Sequence, residues 1–126
     1  MSQTKPSQNN ILIVDDMPAN LKVLAVMLAE QGHQVRPALS GQLALTAVQE
    51  APPDLILLDV AMPDMDGYEV CRQLKADEQT AAIPIIFISA RDETEDKVKA
   101  LTLGGVDYIT KPFQVEEVLS RVNTHL

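Results

Sequence analysis

A second cysteine is missing from this 126-residue chain, so Cys71 has no intramolecular disulfide partner and no companion at metal-ligand spacing. That excludes a disulfide scaffold and a thiolate metal site, makes a reducing compartment the expectation, and leaves Cys71 as a small apolar residue on a helix. Positive charge is scarce too: 10 lysines and arginines stand against 18 aspartates and glutamates, a formal net charge of −8. Such a balance argues against nonspecific nucleic-acid binding. No apolar run exceeds a few residues, so no segment is expected to span a membrane. Residues 1–9 lack the charged-then-apolar layout of a signal peptide and read as a short disordered lead, and the expected location is the cytoplasm. There is no internal repeat and no low-complexity segment. The length suits one domain, residues 10–126, with a single core.

What the chain does have is alternation. Short runs rich in Ile, Leu and Val alternate with longer stretches of helical period, the pattern of βα units around a parallel sheet. Strands are expected at Ile11 to Val14, Gln34 to Ala38, Leu55 to Val60, Ile85 to Ser89 and Val106 to Ile109. Pro37 lacks a ladder donor, which puts the second strand at a sheet edge. Helices are expected from Pro18 to Glu30, from Ser40 as cap through Glu50, from Tyr68 to Ala76, from a capping box at Asp92 and Glu95 to Leu103, and from Val115 onward. In the last helix Val115, Val118, Leu119, Val122 and Leu126 form the stripe expected to be buried. Gly32 closes the first helix, and Gly67 is expected to permit a sharp turn before the third. The result is an α/β chain of (βα)5 type, a doubly wound parallel sheet.

Sheets of this kind carry their ligand sites at the carboxyl ends of the strands. The residues found there are Asp15 and Asp16 after the first strand, Asp59 at the end of "LILLD", Ser89 after the fourth, and Lys111 just past the fifth. Three carboxylates with one ammonium resist joint ionisation, and a divalent cation relieves the conflict. Oxygen donors without a nearby histidine favour Mg²⁺ over zinc. Each aspartate could instead cap the helix that follows its strand. That alternative explains single positions and leaves the joint pattern unexplained. A calcium loop at "DMDG" is set aside, because alignment on Gly67 puts Met62 and Gln73 at the outer ligand positions.

The pieces "ILIVDD", "LILLDVAMPDMDG", "IPIIFISA" and "DYITKPF" resemble, in order and spacing, the receiver domain of two-component response regulators, including those of chemotaxis. The resemblance covers about residues 10 to 126. It implies a flavodoxin-like sheet of order 2-1-3-4-5 and a signalling regulator, not an enzyme, that assists its own phosphorylation and dephosphorylation. By it, Asp59 is the phosphoacceptor, served by a sensor histidine kinase or a histidine phosphotransfer protein. Asp15, Asp16, Asp59 and the backbone carbonyl of Ala61 hold Mg²⁺. Lys111, Ser89 and the backbone of Ala90 contact the phosphoryl group, and Lys111-Pro112 is a cis peptide. Ser89 and Tyr108 are the switch pair, with Tyr108 turning inward as Ser89 is drawn toward the phosphoryl group. The face made by residues 94–126 then changes shape and regulates an output domain or a partner.

The chemistry fits the residues independently. Phosphoryl transfer needs an in-line oxygen nucleophile, a metal and a cation more than it needs covalent work from the protein. Ala61 and Arg91, each two residues past a site residue, flank the expected path of an attacking water and are candidates for setting phosphoryl lifetime. Glu117 and Arg121 match charged positions that DNA-binding members use to dimerise, but Val106 replaces an acidic residue usual there, which weakens the expectation of that homodimer. The chain stops on a helix with no output domain behind it, so it is expected either to act alone or to be a piece of a longer regulator. Two rivals are a Mg²⁺-dependent aspartyl phosphatase, which needs a second acid where Ala61 stands, and a receiver-shaped module that never takes phosphate.

Overall fold

The computed structural model describes residues 9–91 and 93–126. Five strands and five helices alternate along the chain: β1 (Asn10–Val14), α1 (Pro18–Ala29), β2 (Gln34–Ala38), α2 (Gly41–Glu50), β3 (Leu55–Asp59), α3 (Gly67–Ala76), β4 (Ile85–Ser89), α4 (Thr94–Thr102), β5 (Asp107–Thr110) and α5 (Val115–His125). The strands form one parallel sheet of order β2-β1-β3-β4-β5, as expected, with β2 at an edge.

Strand periodicity explains the layers. In β1, Ile11 and Ile13 face one core with Leu55 and Leu57 of β3, while Leu12 and Val14 face the other with Ile56 and Leu58. The first core is closed by Leu21, Leu24 and Leu28 of α1 and by Val118 and Val122 of α5. The second is closed by α2 and α3, with Ala100 of α4. Both faces of the central strands are therefore dry, which is why they read as unbroken apolar runs.

Helix starts follow the local chemistry. Pro18 opens α1, and the Ser40 hydroxyl accepts from the Leu43 N–H at 3.1 Å at the start of α2. Asp66 caps α3 by accepting from the Glu69 N–H at 2.9 Å. The α4 capping box falls partly on Asp92, which lies outside the described residues; α4 starts at Thr94, and the Glu93 side chain at its N-cap makes no capping bond. The Arg36 guanidinium donates to the Ala47 and Ala51 carbonyls at the end of α2 and to Asn10, tying the β2 edge to the helix beside it.

Two expectations need correction. Val115 and Leu126 stand 50% and 41% exposed, so the buried stripe of α5 is Val118 and Val122 with Leu119 packed beside them. Val115 instead lines a depression against α1 with Val23, Val26 and Met27. Gly67 lies inside α3 and is required by closeness, not by a turn. A Cβ there would sit 2.2 Å from the Asp59 carbonyl oxygen, and its N–H donates to the Val60 carbonyl at 2.9 Å.

Candidate functional site

The carboxyl ends of β1, β3 and β4 and the segment after β5 bring the expected residues together. One oxygen from each of Asp15, Asp16 and Asp59 lies within 4.8 Å of the others. Asp15 and Asp59 are buried and Asp16 is the most accessible of the three. The capping alternative fails for Asp59, since Asp66 caps α3, and the N-cap of α1 is Met17 with no side-chain capping bond.

Lys111 joins two of the acids. Its ammonium donates to Asp15 Oδ2 at 3.0 Å and to Asp59 Oδ1 at 3.3 Å, and the Lys111-Pro112 peptide is cis. Asp15 also accepts from the Met17 N–H at 2.9 Å and from the Asn20 side-chain amide at 3.1 Å. Asn20 was not singled out from the sequence; its signal is an amide in the first turn of the helix that follows the paired acids. Asp59, clamped at its carbonyl by the approach of Gly67, is therefore positioned from both backbone and side chain.

The electrostatics are strained in one direction. Burial first, then the charge of Asp15, pushes the Asp59 carboxyl up to about 6; Lys111 opposes this and Asp16 adds to it. Burial alone would lower the Lys111 ammonium, but the bonds and charges of Asp15 and Asp59 outweigh it and raise its pKa. Three negative charges face one positive, and every side-chain donor in the acidic trio is a hard oxygen. That donor set suits a divalent cation such as Mg²⁺. Shape does not mark the site: a depression of about 630 Å³ between α1, β2 and α2 is lined by none of the three acids. A shallow cavity of about 460 Å³ beside Lys111 is lined by Asn20, Ala90, Pro112 and Phe113.

Ser89 is fully buried, and its hydroxyl accepts from the Arg91 N–H at 3.1 Å. Tyr108 is packed inward, 8% exposed, and its hydroxyl donates to the Arg91 carbonyl at 2.6 Å. The peptide groups of Arg91 thus link Ser89 to Tyr108, whereas its side chain is exposed. The expectation from the sequence rests on that side chain, since a backbone bridge leaves no trace in residue type. Ala61 is exposed beside the site. On α5, Arg121 donates to Asp107 at 2.8 Å and to Glu117 at 3.1 Å, and His125 meets Asp107 at 3.1 Å. The charges expected at a dimer face are paired within the chain.

Residues 11–123 match the family model described as the response regulator receiver domain. The chain is 44% identical, over its whole length, to a probable cyclic di-GMP phosphodiesterase of Vibrio cholerae, of whose length it spans 28%. It is 40% identical over 92% of its length to protein PilH of Pseudomonas aeruginosa, spanning 96% of that protein. Among solved structures, the chemotaxis protein CheY4 of Vibrio cholerae superposes with a TM-score of 0.90 at 28% identity, over 95% of this chain and 100% of that one. Among the described residues no helix is long and apolar enough to cross a membrane.

Proposed function

Because the chain belongs to the response regulator receiver domain family of two-component systems, we propose that Asp59 is the residue through which it works, taking a phosphoryl group from a phosphohistidine. A receiver domain is a phosphorylation-dependent signalling regulator, and receivers use Mg²⁺ at their acidic pocket. The observation that carries the assignment is the Lys111 ammonium bridging Asp15 and Asp59 inside a trio of acids.

In the proposed step an Asp59 carboxylate oxygen bonds to phosphorus as the phosphorus–nitrogen bond of the donor breaks, and the electron pair leaves with the imidazole, which takes a proton from solvent. With a pKa near 6, Asp59 is ionised at neutral pH and able to attack. When bound by Asp15, Asp16, Asp59 and the Ala61 carbonyl, Mg²⁺ supplies charge neutralisation at the transferring oxygens. Lys111 moves its contact from the Asp59 carboxylate to a phosphoryl oxygen, while the Ser89 hydroxyl and the Ala90 N–H donate to others. Hydrolysis then returns the carboxylate and releases phosphate, so the domain assists its own reset. Ala61 leaves the water's approach open and Arg91 sets the lifetime; Arg91→Ala is expected to change the autodephosphorylation rate about threefold, on the scale of a single side-chain effect.

The signal passes through Ser89 and Tyr108. Their shared link to the peptide groups of Arg91 supports the reading, since drawing Ser89 toward a phosphoryl oxygen acts on the same segment that Tyr108 holds. The face of residues 94–126 then reports to an output domain or a partner, in the cytoplasm, where histidine kinases and phosphotransfer proteins deliver the phosphoryl group. The test is intact mass after incubation with acetyl phosphate and Mg²⁺. One added phosphoryl group is expected, lost in Asp59→Asn and with EDTA; absence of the group, together with no binding of beryllofluoride, would leave a phosphate-independent module.

A further inference from the structure

Of the five helices, α4 buries the fewest residues: Ala100 alone is buried, and Val98 and Leu101 stand 56% and 51% exposed. It packs mainly on β5, and side contacts from α3 add to that seat. One residue of α3 reaches it twice. The Tyr68 hydroxyl donates to the Asp96 carbonyl at 3.4 Å, and the Lys99 ammonium lies 4.5 Å from the centre of the Tyr68 ring. Asp96 and Lys99 are one turn apart, so both grips fall on the same face of the helix. The ring is itself fixed by the core, 5% exposed and tilted against Phe87 with centroids 5.6 Å apart.

Tyr108 holds the segment just before α4, through the Arg91 carbonyl. Burial first, then the charge of the Tyr108 side chain, pushes the Tyr68 hydroxyl up to about 12. It therefore stays a proton donor across the physiological range. Neither grip on α4 is strong, since 3.4 Å is long for a hydrogen bond and the Lys99 cation is open to solvent. A seat held this way can be left and regained.

We propose that Tyr68 is the positioning residue of α4, favouring the seat that accompanies an inward Tyr108 and so strengthening the coupling between Asp59 and the 94–126 face. The proposal rests on the receiver reading above. If both phosphoryl binding and Tyr68 favour the inward Tyr108, reciprocity requires that Tyr68 also raise affinity for a phosphoryl mimic at Asp59. A residue that merely fills the core has no such effect.

The test uses the whole chain with Mg²⁺, comparing wild type, Tyr68→Phe and Lys99→Met. The first variant keeps the ring on Phe87 and the second keeps the apolar stem, so neither empties the core. Beryllofluoride affinity is read by calorimetry and amide exchange is read across residues 97–103. Tyr68→Phe is expected to weaken beryllofluoride binding about fivefold, the low end of site-to-site coupling. Both variants should speed exchange in α4 while leaving β1 and β3 at wild-type rates. Unchanged affinity in both variants would overturn the proposal, whether or not α4 exchanges faster. If wild type itself binds no beryllofluoride, the receiver reading fails, and unchanged α4 exchange would separately overturn the positioning role.

Discussion

The middle of the sheet and the helix α4 are held to different tolerances. β3 and β4 are buried at every residue, and the oxygens of Asp15, Asp16 and Asp59 converge at the carboxyl ends of β1 and β3. α4, by contrast, buries one residue, and Val98 and Leu101 stand exposed on it and Val106 just before β5, as Val23 and Val26 do on α1. Chemistry on a phosphoryl group needs atoms held to fractions of an ångström, which dry packing on both faces supplies. A surface that must adopt two arrangements needs the opposite, a seat whose contacts are few and weak.

The largest effect should come from the rigid end. Leu57, 1% exposed in the central strand, packs between α1 and α5. Leu57→Ala is expected to lower stability by about 3 kcal/mol, seen as a lower urea midpoint. A loss under about 1 kcal/mol would mean that this half of the sheet is far less tightly packed than its burial implies.

Next is the charge conflict. The Asp59 carboxyl is raised to about 6 from 3.8, so the folded chain binds that proton more tightly than the unfolded one. The favourable contribution is complete below about 3.8 and is lost as pH rises through about 6. Asp59→Asn in metal-free buffer should therefore raise stability at pH 7.5 by about 2 kcal/mol and flatten the fall between pH 4 and 7. Added Mg²⁺ should stabilise wild type more than the variant. A variant no more stable than wild type would show that Lys111 already offsets the repulsion.

The opposite edge should show the opposite sign. Burial pulls the Asp107 carboxyl up, but the Tyr108 N–H, Arg121 and His125 together hold it below its ordinary value. Its contribution is present above the unfolded pKa of about 3.8 and lost as pH falls through the depressed folded value. Asp107→Asn should cost about 1 kcal/mol at pH 7, discounted for the exposure of Arg121, and less below pH 3. Unfolding curves across pH for both variants would separate the two edges by sign alone.

Legibility followed the same division. The runs "ILIV", "LILL" and "IIFIS" gave strands to within a residue because both their faces are buried, and the placement of Asp15, Asp59, Ser89 and Lys111 at or just past the strand ends was legible because strand ends are fixed once strands are. Contacts that join distant segments carry no such period. Asn20 on Asp15, the Arg91 peptide groups between Ser89 and Tyr108, and Tyr68 on α4 depend on which elements meet in space. The α5 stripe falls short for a related reason: period assigns a face to Val115 and Leu126, but which elements meet that face in space decides whether anything covers them.

The smallest expected effect tests the loose end directly. Val98 is 56% exposed on α4, so Val98→Ala removes apolar surface that is already largely in water and should change stability by less than about 0.5 kcal/mol. The same should hold at any protein concentration. If the variant instead loses more than about 1 kcal/mol, and the loss shrinks on dilution, then a second copy covers α4 and contributes to wild-type stability. The helix would then owe its seat partly to a neighbour, and the contrast between a rigid acidic edge and a weakly held α4 would apply only to the separated chain.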